Sequence, residues 1–200
     1  MKKLIFSSII MLSILPLFAQ QQGIFKDTRD GKEYKTVVIA TQTWLAENLA
    51  FKPAEGVYWA YDNNQINIPK YGYLYNWETA KNVCPDGWFL PSDSDWTILV
   101  KALGGDSIAG GKLKAITDWK PDANGEATNQ SGFNGLPAGC HGDMNDYYFR
   151  IGEDAYFWRS TRGGSEDASY RGLHFSNGAV ARSTDGRAGG FSVRCLKIGK

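Results

Sequence analysis

The stretch "CPDGWFLPSDSDWTIL", residues 84 to 99, constrains this chain more than any other. Pro85-Asp86-Gly87 is turn chemistry, because proline presets φ and glycine takes positive φ at no steric cost. The residue before Pro91 is pushed out of the helical region, so "WFLP" must run extended. Ser92 then offers a side-chain oxygen to the first free amides of a helix. Asp95, three residues on, completes a capping-box pair, with Asp in place of the more usual Glu. Asp93 and Asp95 also put negative charge where the helix dipole favours it. Trp96, Leu99, Val100 and Leu103 follow at i, i+3, i+4 and i+7, a single apolar stripe. Gly104-Gly105 closes the helix. A turn, a short extended segment and a capped helix are thus forced in quick succession.

The flanking segments are read the same way. Residues 23 to 39 form two short strands around Asp30-Gly31, a hairpin signal, and "TWLAENL" (43–49) extends that sheet. Residues 52 to 70 show no periodicity and read as loop. Tyr73, Trp77 and Ala80 have helical spacing with Asn76 as N-cap, which predicts a helix over 73–83. Residues 104 to 154 read mostly as loop. A strand is predicted over 155–161, a hairpin around Asn177-Gly178, and a last alternating strand over 191–198. No repeat and no composition shift marks a second domain, so residues 20–200 are expected to form one.

The chain opens "MKKLIFSSIIMLSILPLFAQ". A basic pair, an apolar run interrupted by Pro16, and small Ala19 match a cleaved export leader over residues 1–19. The run falls short of the ~20 apolar residues of a spanning helix. No second apolar stretch follows, so no membrane span is expected after cleavage. No cysteine follows the run to carry a lipid. The expected location is secreted, periplasmic or cell-surface associated. Loss of Lys2 and Lys3 leaves 20 basic against 21 acidic side chains. That balance gives no electrostatic reason to expect nucleic acid or anionic membrane as a partner. Three cysteines remain, Cys84, Cys140 and Cys195. An exported protein meets an oxidising compartment, and an odd count leaves one thiol unpaired or intermolecular.

Taken in order, several segments resemble the fibrobacter major paralogous domain family. They are "DGKEYKTVVIATQTWLAENL" (30–49), "YNWETA" (75–80), "CPDGWFLPSDSDW" (84–96), "GGKLK" (110–114), "SGFNGLPAG" (131–139), "FWRST" (157–161) and "SVRC" (192–195). Departures from the family pattern are Ala40 for Gly, Leu45 for Met, Asp95 for Glu, and Arg159 for a serine. Cys140 stands where an aromatic is expected. The resemblance implies an α+β, C-type-lectin-like fold with two helices, small antiparallel sheets and a long irregular loop region. It also implies a disulfide between Cys84 and Cys195, with three buried thiols as the alternative. Closing a loop of about 110 residues would stabilise the fold by roughly 4 to 5 kcal/mol. No defined activity comes with the family.

The site is therefore sought among residue types. "HGDMNDYYFRIGED" (141–154) gathers Asp143, Asn145, Asp146, Glu153 and Asp154, oxygen donors of the kind calcium takes. An EF-hand needs glycine where Tyr148 stands, and the sugar-binding lectin motifs Glu-Pro-Asn and Trp-Asn-Asp do not occur. No metal site and no cofactor are expected. Tyr147, Tyr148, Arg150, Asn145, Asp146 and Arg162 are the candidate ligand-binding residues, because exposed aromatics and arginines are favoured at recognition surfaces. Trp44, Trp77, Trp88 and Trp96 are assigned to the core. His141 beside Cys140 is a weak catalytic pair without an orienting group, and His174 shows no partner. The expected function is a non-enzymatic module that binds a glycan or protein. Two alternatives remain: a formylglycine-generating type of enzyme working through Cys140 and Cys195, and a structural envelope component.

Overall fold

The computed structural model describes residues 21–121, 126–143 and 147–199. The leader over 1–19, and the candidates Asn145 and Asp146, lie outside the described residues. The architecture is mixed α+β, mostly sheet with short helices. β1 (Gln22–Lys26) and β2 (Glu33–Ile39) form an antiparallel hairpin, and β3 (Gln42–Leu45) adds to β2. The β1–β2 loop spans 27–32, with Gly31 at φ +78°. The β2–β3 turn places Ala40 at φ +53°. That left-handed conformation disfavours a side chain, which gives the family's glycine at this position a physical reason. Ala40→Gly is expected to stabilise the fold by about 0.5–1 kcal/mol, strain relief outweighing the added unfolded-state entropy. Urea melts of the two chains check it.

The expected loop over 52–70 carries more structure than its composition suggests. β4 (Tyr58–Trp59), two single 3-10 turns (Tyr61–Asn63 and Gln65–Asn67) and α1 (Ile68–Tyr71) occupy it. β5 (Leu74–Tyr75) pairs with β4, so the helix predicted over 73–83 contracts to α2 (Trp77–Ala80). The cap itself is the reason. Asn76 has extended backbone angles (φ −68°, ψ 162°) while its side chain accepts the Thr79 amide at 2.9 Å, so the helix cannot begin earlier. After β6 (Trp88–Phe89) comes α3 (Asp93–Ala102), and here the capping box holds. The Asp95 carboxylate accepts the Ser92 amide at 2.8 Å and the Ser92 hydroxyl at 2.6 Å. Trp96 and Leu99 are fully buried on its apolar stripe.

The second half adds α4 (Ala109–Leu113), β7 (Ala138–His141), β8 (Tyr148–Ile151), β9 (Asp154–Arg162), β10 (Asp167–His174), β11 (Val180–Gly186) and β12 (Leu196–Lys197). β10 and β11 pair, but Leu173 faces Val180, so Asn177-Gly178 sits inside a longer loop and not in a two-residue turn. The predicted strand over 191–198 narrows to β12, preceded by single bridges at Phe191 and Ser192. One sheet runs β1-β2-β3-β12-β6 and another β11-β10-β9-β7-β8. The C-terminal β12 thus sits inside the N-terminal sheet. Cys84 and Cys195 are joined by a disulfide, and Cys140 is the buried free thiol.

The core is built on rings, and the segments that carry the family resemblance serve it. Trp44, Trp96, Phe133 and Phe157 pack mostly edge-to-face with centroids 5.2–5.8 Å apart. Arg194 of "SVRC" is fully buried. Its guanidinium donates to the Asn48 side chain at 2.7 Å and to the carbonyls of Leu45, Phe133 and Asn134. Lys114 of "GGKLK" is equally buried and donates to the His174 and Asn177 carbonyls at 3.1 and 2.9 Å. A Cβ at Gly110 would come within 2.3 Å of the Ala179 carbonyl oxygen. Ser131 of "SGF" donates its hydroxyl to the Lys112 carbonyl at 2.7 Å. Buried polar groups of this kind are stabilising only when fully partnered, which ties each motif to the scaffold.

Candidate ring-lined binding face

β7 and β8 place His141 opposite Tyr148, so the two side chains share one face of the sheet. Their rings meet edge-on at 4.9 Å. Trp59 of β4 stacks on His141 at 3.9 Å and 12°. Gly190 lies against this pair, where a Cβ would fall 2.8 Å from the Trp59 ring and 2.9 Å from His141. Tyr61, in the turn after β4, packs 5.3 Å from Tyr148. Trp59 and Tyr148 are half-buried, above the buried His141 and Tyr61. The Tyr148 hydroxyl donates to the Asn63 side-chain oxygen at 2.8 Å. Tyr147, next to Tyr148, is 65 % exposed.

Backbone strain gathers at the rim of this pile. Asp62 (φ 56°), Asn63 (φ 54°) and Arg150 (φ 71°) all hold left-handed conformations without being glycine. Such strain persists where the surrounding structure over-determines it, and it concentrates at functional sites. Arg150 reaches Glu153 at 3.3 Å and Asp154 at 3.6 Å. Burial beside Asp62 pushes the Tyr61 hydroxyl above its ordinary range. Rings that present π-faces, with amide, hydroxyl and guanidinium groups beside them, can stack on an apolar sugar face or peptide side chain and hydrogen-bond its polar edges.

The structure gathers Tyr147, Tyr148 and Arg150 on and beside β8. Arg162 does not join them. It lies eight strand positions beyond Asp154, the residue facing Arg150, about 26 Å at the usual strand rise. Trp59, Tyr61 and Asn63 were hidden to sequence reading inside a segment taken as loop. The signal that could have found them is "YWAYDNN" (58–64), with closely spaced rings running into an asparagine-rich tip. His174, for which no partner was visible, is within reach of Ser176 and Asp154. His141 and Cys140 do not face each other. The His141 ring lies on Trp59, while Cys140 packs into the core, where burial pushes its thiol up to about 12.

A cavity of about 500 Å³ lies elsewhere, between Pro53–Val57 and α2. Several of its polar groups are already spent on structure. The Thr79 hydroxyl accepts the Val57 amide, Asn76 caps α2, and Glu78 pairs with Lys81 at 2.6 Å. The ring face is therefore the better candidate. Among the described residues, no three His, Cys, Asp or Glu side chains gather as a metal site. No helix among them is long and apolar enough to cross a membrane.

Comparison with curated proteins and with solved structures returned no match. A family model, the Fibrobacter succinogenes major domain, matches residues 37–197. That span runs from within β2 to β12 and takes in the motifs from "YNWETA" to "SVRC" and the second half of the first one. The chain belongs to the Fibrobacter succinogenes major domain family.

Proposed function

We propose that the protein is an exported binding module that recognises a glycan through the ring face formed by Trp59, Tyr147, Tyr148 and Arg150. The observation that carries this reading is the pile of half-buried Trp59 and Tyr148 rings on the buried His141, with strained polar residues at its rim. A C-type-lectin-like arrangement of one domain over residues 20–200 fits it. The pairing of N- and C-terminal strands in one sheet, and the disulfide from the end of the α2 segment to the chain's last part, support that arrangement. The family's own motifs contribute no ligand contact in this account, because their side chains are spent on the core. The leader over residues 1–19 supports export to the periplasm, the cell surface or the medium. The cysteine-dependent alternative requires Cys195 as a thiol, and Cys195 is bonded to Cys84.

The test is a broad glycan array probed with residues 20–200, with calcium and with chelator. Selective binding that survives the chelator is the expected result, since rings and guanidinium groups need no metal. Binding lost with chelator would move the site to the acidic loop. No binding to any glycan would sink the glycan reading.

A further inference from the structure

The turn after β10 brings together a serine, a histidine and a buried carboxylate that the ring face does not use. The Ser176 hydroxyl lies 2.7 Å from His174 Nδ1, and the Ser176 amide donates to the same nitrogen at 3.2 Å. An amide N–H can only donate, so Nδ1 is the acceptor and the neutral ring carries its proton on Nε2. Nε2 faces Asp154 Oδ1 at 3.8 Å. That is longer than a hydrogen bond, but catalytic contacts are often loose before a substrate binds. The other Asp154 oxygen accepts the Tyr156 hydroxyl at 2.7 Å and faces Arg150 Nε at 3.6 Å. The Asp154 side chain is 6 % exposed, that of His174 36 %, so the base is open to solvent while its orienting group is not.

The turn is also held firmly. The buried Lys114 ammonium donates to the carbonyls of His174 and Asn177, the Phe175 amide donates to the Glu153 carbonyl at 2.8 Å, and the Asn177 side chain accepts the Ala179 amide. Lys120 closes one side, paired with Glu153 at 3.1 Å and lying 5.3 Å over the Phe175 ring. Rigid support of this sort is what a reactive constellation needs.

We propose that Ser176, His174 and Asp154 act as nucleophile, base and orienting carboxylate, and that Ser176 accepts the acyl group of carboxylic esters. As Ser176 Oγ bonds to the ester carbonyl carbon, its proton passes to His174 Nδ1. The ester C–O bond then breaks, and the alcohol leaves with that proton. Water cleaves the acyl-serine by the same route, which restores the hydroxyl and releases the carboxylic acid. The inference does not depend on what the ring face binds.

A fluorophosphonate probe followed by peptide mapping tests it on the whole chain. Ser176 is expected to label at least ~100-fold faster than the exposed Ser165, the span that a general base supplies. His174→Gln should abolish the excess and Asp154→Asn should lower it several-fold. Both variants are to be compared with the native chain by circular dichroism, and hydrolysis of p-nitrophenyl acetate by the native chain, expected to be lost in Ser176→Ala, gives a second readout if either variant unfolds. Ser176 labelling no faster than Ser165, or a fast rate that persists in folded His174→Gln, would overturn the proposal and leave the contacts as a local turn.

Discussion

Replacing Cys84 and Cys195 together by alanine is expected to lower the unfolding free energy by about 4 to 5 kcal/mol. The bond closes a loop with a sequence separation of 111, and the chain-entropy model gives about that value for a loop near this length. The location makes the loss specific. β12 and β6 are two-residue strands, and Leu196 bridges both Trp44 of β3 and Phe89 of β6. So short a strand at an inner position of a sheet has few ladder bonds of its own. The disulfide fixes its approach from one side, and the buried Arg194 guanidinium fixes it from the other. Midpoints of thermal unfolding should fall by roughly 10–20 °C for a domain of this size. Reductant should do the same to the native protein, while Cys140→Ala should cost far less, since only one small side chain is lost. A double variant within 1 kcal/mol of the native chain would show that β12 is held by its packing alone.

The second large effect is expected at Asp93. Three arginines converge on this carboxylate at the first turn of α3. Arg159 and Arg171 meet Oδ1, and Arg182 meets Oδ2 at 2.6 Å. The Arg159 and Arg171 side chains are only 3 % exposed, whereas Asp106, which also pairs with Arg171, is 72 % exposed and screened by water. Burial lowers the proton affinity of Arg159 to about 10, with Asp93 opposing that shift and Arg171 and Arg182 adding to it. Asp93→Asn keeps the shape but leaves two buried cations side by side without their main counter-charge. Breaking a buried pair in this way costs on the order of 3–5 kcal/mol. The opposite substitution should be milder. Arg159→Ser restores the family's residue and removes one cation, and Arg171 and Arg182 still satisfy Asp93. Chemical denaturation of the two variants gives the comparison. A smaller loss for Asp93→Asn than for Arg159→Ser would refute the account of Asp93 as the cluster's shared anion.

What could be read in the sequence was local in origin. The Ser92–Asp95 capping box, the Asn76 cap and the Gly104-Gly105 stop each depend on neighbours within a few positions, and all three sit where their residue types place them. The family pattern supplied the Cys84–Cys195 pairing, which spacing alone could not choose among three cysteines. What escaped was non-local. β4 is two residues long and exists because Tyr58 and Trp59 pair with Tyr75 and Leu74. The ring pile joins Trp59 to His141 and Tyr148 to Asn63, contacts more than eighty residues apart. Arg162 looked equivalent to Arg150 in the sequence, but β9 carries it away. His174 gained its partners through a six-residue loop where a two-residue turn was expected. Candidate residues on β8 were visible because tyrosines crowd there, while the residues that complete the face had to come from another strand.

The most direct test of the ring face is glycan-array binding in chelator by the native chain, Trp59→Ala and Tyr148→Phe, with melting midpoints measured alongside. The account predicts selective binding by the native protein and loss of at least ~10-fold in Trp59→Ala, because stacking area at a recognition surface is worth over 1 kcal/mol. Tyr148→Phe should lose less, since only the hydroxyl held by Asn63 is removed. Native-level binding by a folded Trp59→Ala chain would contradict the claim that this face holds the ligand.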